Sequence, residues 1–289
     1  MPELPEVEVV RAGLEPAVSD ATVSTVTVFD ERSLRRHAGP SEDFIDRLTG
    51  VRLLPPQRRG KFLWIPLDGP AGEALVVHLG MSGQVLLRDR QTEDALTRIC
   101  LELDHPAHGP LRLNFVDQRI FGSMAIDALV DAGHGQTVPA AVAHIARDPL
   151  DEHFDESHFL RRLAARRTGI KRALLDQSLV SGIGNIYADE SLWAAGIHYD
   201  QPTATLSRPR AKRLLVEVRN VLEKALGEGG TSFDAQYVNV NGASGYFSHS
   251  LNAYGRQGRP CARCGRPIVR ESFMNRGSHF CPFCQRLRG

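Results

Sequence analysis

Val7, Val10 and Leu14 recur at helical spacing behind Pro5, so the chain is expected to open with a helix over residues 5–18 that buries one apolar stripe. The period then drops to two. Segments near 22–29, 61–67, 74–79, 84–88, 98–104 and 111–116 read as strands between clusters of Gly, Pro, Asp and Asn, a succession that predicts an antiparallel sandwich or barrel. From Asp131 to Asp151 the residues Gly133, Gly135, Pro139 and Pro149 mark a linker, with room for a short helix over 140–145. Beyond it, segments near 156–165, 171–180, 186–195 and 207–227 carry helical periodicity and caps. The expected class is α+β in two domains. An N-terminal antiparallel β-sandwich with a terminal helix occupies 1–135, a linker 136–150, a helical domain 151–250 and a distinct C-terminal segment 251–289.

That last segment holds four of the five cysteines, as Cys261-Ala-Arg-Cys264 and Cys281-Pro-Phe-Cys284 with 16 residues between the pairs. This is the paired spacing of a tetrahedral zinc site. The intervening stretch can form two short strands around Asn275-Arg276-Gly277, and so short a segment needs the metal for its stability. Two disulfides are the alternative. The acidic start (Glu3, Glu6, Glu8) is unlike a secretory signal and no apolar run approaches a membrane span, so a reduced cytoplasmic compartment and one structural zinc ion are expected. Cys100, in Arg-Ile-Cys-Leu-Glu-Leu, reads as an inert core thiol.

Charge sharpens the picture only through its placement. Net charge is +1, but eight Arg and one acid lie between Tyr254 and Gly289, and six basic residues with no acid between Arg161 and Arg172. Such runs are either solvated faces or a nucleic-acid footprint. Just after the second run, Gly182-Ile-Gly-Asn185 separates two predicted helices. Its glycines permit a sharp turn with accessible amides and Asn185 can cap the following helix, an arrangement suited to phosphate as well as to an ordinary helical corner.

The N-terminus, Met-Pro-Glu-Leu-Pro-Glu-Val, carries the sharpest chemistry. Removal of Met1 would expose a secondary amine at Pro2 beside the carboxylate of Glu3. An α-amino group titrates near about 7.8 against about 10.4 for Lys, so roughly a few hundred times more of it is neutral at pH 7, and a secondary amine attacking a sugar C1′ yields an iminium electron sink. The plain alternative is a proline-rich helix start.

Together, Pro2-Glu-Leu-Pro-Glu-Val7, Arg59-Gly-Lys61, His78-Leu-Gly-Met-Ser-Gly83, Asp117 to Gly122, Gly182-Ile-Gly-Asn-Ile-Tyr-Ala-Asp-Glu190, Gly245-Tyr-Phe247 and the four-cysteine ribbon ending in Gln285 resemble the bacterial formamidopyrimidine-DNA glycosylases over nearly the whole chain. These are helix-two-turn-helix enzymes of base-excision repair. The resemblance implies a β-sandwich, a helix-two-turn-helix domain and a zinc-ribbon hairpin, and a monomeric bifunctional glycosylase and AP lyase acting on double-stranded DNA with oxidised bases or abasic sites, working on the bacterial nucleoid. It implies catalytic roles for Pro2 as nucleophile, Glu3 as proton manager, Lys61 in proton transfer and phosphate contact, and Arg276 in phosphate gripping and δ-elimination. Met81, Arg119 and Phe121 would fill the void left by an extruded base, Arg167, Lys171 and Asn185 would grip phosphates, and Tyr246 would contact DNA. Cys261, Cys264, Cys281 and Cys284 would hold the zinc.

Leu4 favours the oxidised-purine branch over the oxidised-pyrimidine branch that resembles endonuclease VIII, where Gly is typical. The departures are Ile120 in place of the second Arg of the family's Asp-Pro-Arg-Arg-Phe-Gly, Leu96 where a DNA-contacting His is common, Arg167 where Lys is common, and the loop 238–244. Other readings are an oxidised-pyrimidine glycosylase, a non-catalytic binder of damaged DNA, and a zinc-ribbon transcription or RNA factor, the last of which leaves the N-terminal dyad without a purpose.

Overall fold

A computed structural model of the chain describes residues 2–92, 94–231, 240 and 245–288. It divides into two compact units, one built on Glu6–His144 with Pro2, Thr231, Val240 and Gly245, the other on Glu3–Pro5, Ile145–Gly230 and Tyr246 onward.

In the first unit, helix α1 (Leu4–Val18) is followed by β1 (Thr22–Val28), α2 (Ser41–Leu48), β2 (Arg52–Leu53), β3 (Gln57–Arg59), β4 (Phe62–Asp68), β5 (Glu73–His78), β6 (Gly83–Arg88), β7 (Thr97–His105), β8 (Gly109–Asp117), β9 (Ser123–Asp131) and β10 (Thr137–Pro139). Among the described residues these ten strands join in one antiparallel path, β10-β9-β5-β4-β2-β1-β7-β8-β6, with β3 on β4. The two halves of that path share one core. Leu63, Ile65, Leu75, Val77, Met124 and Ile126 from one half meet Val23, Val26, Val85, Ile99, Leu101, Leu113 and Phe115 from the other, and Val7, Val10, Leu14 and Val18 of α1 pack into the same cluster. The result is a sandwich layer with the helix stripe buried as its spacing requires. In β1 a register shift between Val23 and Thr25 lets Val23 and Val26, three apart, both face inward.

The second unit carries α3 (Glu156–Ala165), α4 (Ile170–Leu174), α5 (Asn185–Ala195), α6 (Arg208–Gly227) and the hairpin β11 (Val269–Phe273) and β12 (Arg276–Phe280). Helix α5 is buried from Asn185 through Leu192 and stops at Gly196, whose φ of 65° gives the left-handed C-cap and whose N–H bonds the Leu192 carbonyl.

Four expectations need correction. The stretch read as linker contributes β10, paired Thr137↔Asp131 on the sheet edge, and only one helical turn at Ala140–Val142. Strand β9 and the short helix α2 fall outside the segments that the sequence pattern predicts. β9 reads Ser-Met-Ala-Ile-Asp-Ala-Leu-Val-Asp, whose Ala, Ser and Asp have poor strand propensity, and only its partners select it. The helix expected over 171–180 ends at Leu174. Asp176 then accepts the Ser178 N–H (3.0 Å) and hydroxyl (2.7 Å), offering the backbone a turn instead of another helical bond. Finally, the tip of the C-terminal hairpin is Met274-Asn275, both at positive φ (46° and 59°), and Arg276 sits in the ladder opposite Phe273. Of the loop 238–244, all but Val240 lies outside the described residues.

Candidate active site and metal centre

The glycine turn before α5 receives a carboxylate from its own chain. Glu3 is 2% exposed. Its Oε2 accepts the Gly184 N–H at 2.5 Å and the Tyr187 N–H at 3.4 Å, while Oε1 accepts the Ile186 N–H at 3.0 Å. An anion at a helix N-terminus meets both the unsatisfied amides and the positive end of the helix dipole. The turn was expected to leave these amides to a phosphate, and three of them are committed to Glu3. The glycines then have a specific purpose. A Cβ on Gly184 would stand 2.4 Å from the Glu3 carboxyl carbon, and one on Gly182, itself at φ 88°, would stand 2.6 Å from Leu4 Cδ1. The turn is shaped to admit residues 3 and 4, and the Leu4 N–H closes the arrangement on the Gly182 carbonyl at 2.9 Å. Gln177 braces it from outside, accepting the Gly182 N–H (3.0 Å) and donating to the Leu175 and Ile183 carbonyls. With the proton-managing role that the resemblance implies for Glu3, Gly184→Ala should displace the carboxylate and cut base release by about a hundredfold, the scale expected when such a group is misplaced by an ångström. Single-turnover release of 8-oxoguanine at wild-type rate by this variant would refute that purpose.

Lys171 was expected to grip phosphate, and its position argues otherwise. Its side chain is fully buried, and Nζ contacts Asp189 Oδ1 (2.7 Å), the Gly277 carbonyl (3.2 Å) and Ser278 Oγ (3.1 Å). Three donors meet three acceptors, leaving none for DNA. Burial lowers its pKa most strongly, with Asp189 and Glu3 opposing and Arg276 adding to the shift. Asp189 also accepts from Ser278 Oγ (3.1 Å) and from the His279 N–H (2.9 Å). Asn185, 7% exposed, donates its Nδ2 to the Gly277 carbonyl at 3.1 Å. Lys171, Asn185 and Asp189 thus fasten α4 and α5 to β12 immediately beside Arg276, which is itself exposed.

The hairpin is closed below by the cysteines. All four Sγ atoms lie within 4.8 Å of one another, and Cys264 and Cys281 are 3.5 Å apart. A tetrahedral zinc with Zn–S near about 2.3 Å places sulfurs about 3.8 Å apart, so the donor set fits one ion. Burial pushes the Cys261 thiol up, but the Trp193 indole N–H at 3.4 Å and the Arg263 and Cys264 amides outweigh it and bring it down to about 6, while burial and the neighbouring thiols push Cys281 up and Cys284 up to about 12. Gln285 fixes the second knuckle, accepting the Cys281 N–H (2.8 Å) and donating to the Ile197 carbonyl (2.9 Å).

In the first unit the three expected void fillers gather on two adjoining loops. Met81 is 38% exposed and Phe121 42%, and the Arg119 guanidinium lies 5.2 Å from the Phe121 ring centroid. The loops can touch because residue 80 is glycine: a Cβ there would stand 2.3 Å from the Phe121 carbonyl oxygen. Asp117, fully buried, accepts Ser82 Oγ (2.5 Å) and the N–H groups of Arg119 (3.1 Å) and Gly122 (2.7 Å). Lys61 is the second residue of the two-residue turn joining β3 and β4, after Gly60 at φ 56°. Near it, the His78 ring packs tilted against Phe62, with centroids 4.9 Å apart and an interplanar angle of 48°. Burial, helped by Arg36, Arg35 and Lys61, depresses the imidazole to about 4, which keeps it neutral at pH 7 among cations. In the sequence His78 opens His78-Leu-Gly-Met-Ser-Gly83 and carries no role of its own. Pro2 is buried, Arg167 is exposed, and Tyr246 is 74% exposed.

The domain models for the formamidopyrimidine-DNA glycosylase N-terminal domain, the H2TH domain of the same enzymes, and a zinc finger found in FPG and IleRS match residues 1–124, 145–236 and 258–287 respectively. The formamidopyrimidine-DNA glycosylase of Leifsonia xyli subsp. xyli is 66% identical, covering 99% of this chain and 100% of its own length. That of Thermobifida fusca is 55% identical over 99% and 97%. The MutM (Fpg) crystal structure from Thermus thermophilus matches with TM-score 0.83 at 36% identity, covering 100% of both chains. The Lactococcus lactis Fpg in complex with DNA containing an abasic site matches with TM-score 0.83 at 30% identity, covering 98% of this chain and 99% of the other.

Proposed function

This chain belongs to the formamidopyrimidine-DNA glycosylase family, and from that premise we propose that it excises oxidised purines, formamidopyrimidines and 8-oxoguanine opposite cytosine, and then nicks the abasic site by β,δ-elimination through Pro2. The observation that carries the reading is the buried Pro2-Glu3 dyad with its carboxylate held on the N-terminus of α5. A nucleophile next to a fixed proton carrier is the requirement for covalent glycosylase chemistry.

In this reading the Pro2 nitrogen attacks C1′. The C1′–N bond to Pro2 forms, the glycosidic bond breaks, and the base leaves with a proton. Glu3 delivers a proton to O4′ as the sugar ring opens, giving the iminium. Loss of a C2′ proton expels the 3′ phosphate, a second elimination expels the 5′ phosphate, and water releases the amine. Lys61 moves a proton in β-elimination and Arg276 holds phosphate for the δ step. A base inside the duplex is out of reach, so Met81 and Phe121 wedge into the stack and Arg119 hydrogen-bonds the orphaned partner. Asn185 and Arg167 add phosphate contacts and Tyr246 a further contact to the DNA. Lys171 is better placed as the fastener of β12. We place this work in the bacterial cytoplasm, on the nucleoid; among the described residues no helix is long and apolar enough to cross a membrane.

Borohydride trapping across duplexes carrying 8-oxoguanine, formamidopyrimidine or thymine glycol tests the reading. The adduct is expected on the purine lesions. Absence of any adduct would remove the Schiff base, and preferential trapping on thymine glycol would move the enzyme to the oxidised-pyrimidine class.

A further inference from the structure

Arg35 makes a set of contacts that nothing in the proposed chemistry uses. Its Nη1 donates to the Ile120 carbonyl at 2.9 Å and the Gly122 carbonyl at 2.7 Å, and its Nη2 donates to the Phe121 carbonyl. Three consecutive carbonyls converging on one guanidinium require a sharply folded backbone, and Ile120 supplies it at φ 55°, a left-handed conformation that a β-branched residue disfavours. The loop's amides go the other way, with Arg119 and Gly122 donating to Asp117. Arg98 Nε holds the Asp117 carbonyl at 2.8 Å. Three acceptors therefore turn to Arg35 and two donors to Asp117, and the side chains of Arg119 and Phe121 project outward, exposed, from a loop held by hydrogen bonds on both sides.

We infer that Arg35 is a positioning residue for base extrusion, the counter-strut that holds residues 120–122 in their strained turn and so aims Phe121 and Arg119. The inference rests on the wedge role proposed above. Charge is not its function: the planar fork spans three carbonyls, which a point ammonium cannot reproduce. The held loop is needed when a base must be levered from the stack and much less when the base is already missing.

The test compares Arg35→Met, Arg35→Lys and Phe121→Ala with wild type for release of 8-oxoguanine from duplex DNA, cleavage of a preformed abasic site, and the fluorescence rise of 2-aminopurine beside the lesion. Arg35→Met is expected to slow base release and the fluorescence step by about tenfold to a hundredfold, and abasic-site cleavage by less than about a third of that factor. Arg35→Lys should share the defect even if Arg35→Met fails to fold. Full activity in Arg35→Met, full rescue by Lys, or equal loss in both reactions would overturn the inference; equal loss is what mere support of the fold predicts. If Phe121→Ala itself leaves base release and fluorescence untouched, the wedge reading falls, whatever Arg35 does.

Discussion

Protein that keeps Met1 will give no borohydride-trapped adduct with lesion-bearing DNA, and its base release will fall by three orders of magnitude or more, roughly the scale for loss of a covalent nucleophile. The reason is electronic. With Met1 attached, the Pro2 nitrogen belongs to a tertiary amide whose lone pair is delocalised into the carbonyl, so it can neither attack C1′ nor form an iminium. A chain bearing one uncleavable extra residue before Pro2, compared at equal melting temperature, tests this effect. Pro2→Gly is a softer version: it leaves a primary amine, which can form an imine, but loses the ring that fixes the nitrogen, and trapping should drop strongly without vanishing. Mass spectrometry of the trapped adduct should place the DNA on Pro2. An adduct at wild-type yield from the extended chain would mean that another amine is the nucleophile.

The parts of this machinery that were legible in the sequence are those whose chemistry is local. The cysteine pairs, the Pro2-Glu3 dyad and the alternating strands announce themselves through neighbours a few residues apart. What stayed hidden is long-range pairing. The glycines 182 and 184 look like a phosphate turn because sequence does not reveal that a carboxylate 181 residues before Gly184 will occupy the amides of Gly184, Ile186 and Tyr187. Lys171 sits in a run of six basic residues and reads as a DNA contact, yet its environment is decided by Asp189 and by the carbonyl of Gly277, 106 residues on. A buried ammonium tolerates burial only with such partners. Arg35 gives no signal at all, since its acceptors are backbone carbonyls, which every residue carries. The resemblance thus names candidate reactive groups without revealing the distant groups that hold them.

Removing zinc is expected to abolish specific DNA binding and the δ-elimination product together, with affinity for an abasic-site duplex falling by a hundredfold or more. Strands β11 and β12 are five residues each, and a two-stranded hairpin has no independent stability in water. Apart from Phe273 and Phe280, which pack on Tyr199, its own buried cluster among the described residues is Cys261, Ile268 and Cys281, so most of the free energy that orders it has to come from the metal, for which zinc-finger sites supply about 10 to 16 kcal/mol. The contacts of Lys171, Asn185 and Asp189 to Gly277, Ser278 and His279 cannot substitute, because each needs β12 already formed to present its backbone. Their loss would leave Lys171 and Asp189 with each other but without these hydrogen bonds, and a buried polar group left unsatisfied costs about 1 to 3 kcal/mol. Chelation should therefore lower the melting temperature of the helical unit as well as free the hairpin. Cys281→Ser should reproduce both effects without chelator, and zinc content measured on the same samples ties them to the metal. DNA affinity unchanged after zinc loss is verified would show that Arg276 is not presented by a metal-fixed hairpin. A melting temperature unchanged while affinity falls would show instead that the finger and α5 are held together by something other than the contacts of Lys171, Asn185 and Asp189 to β12.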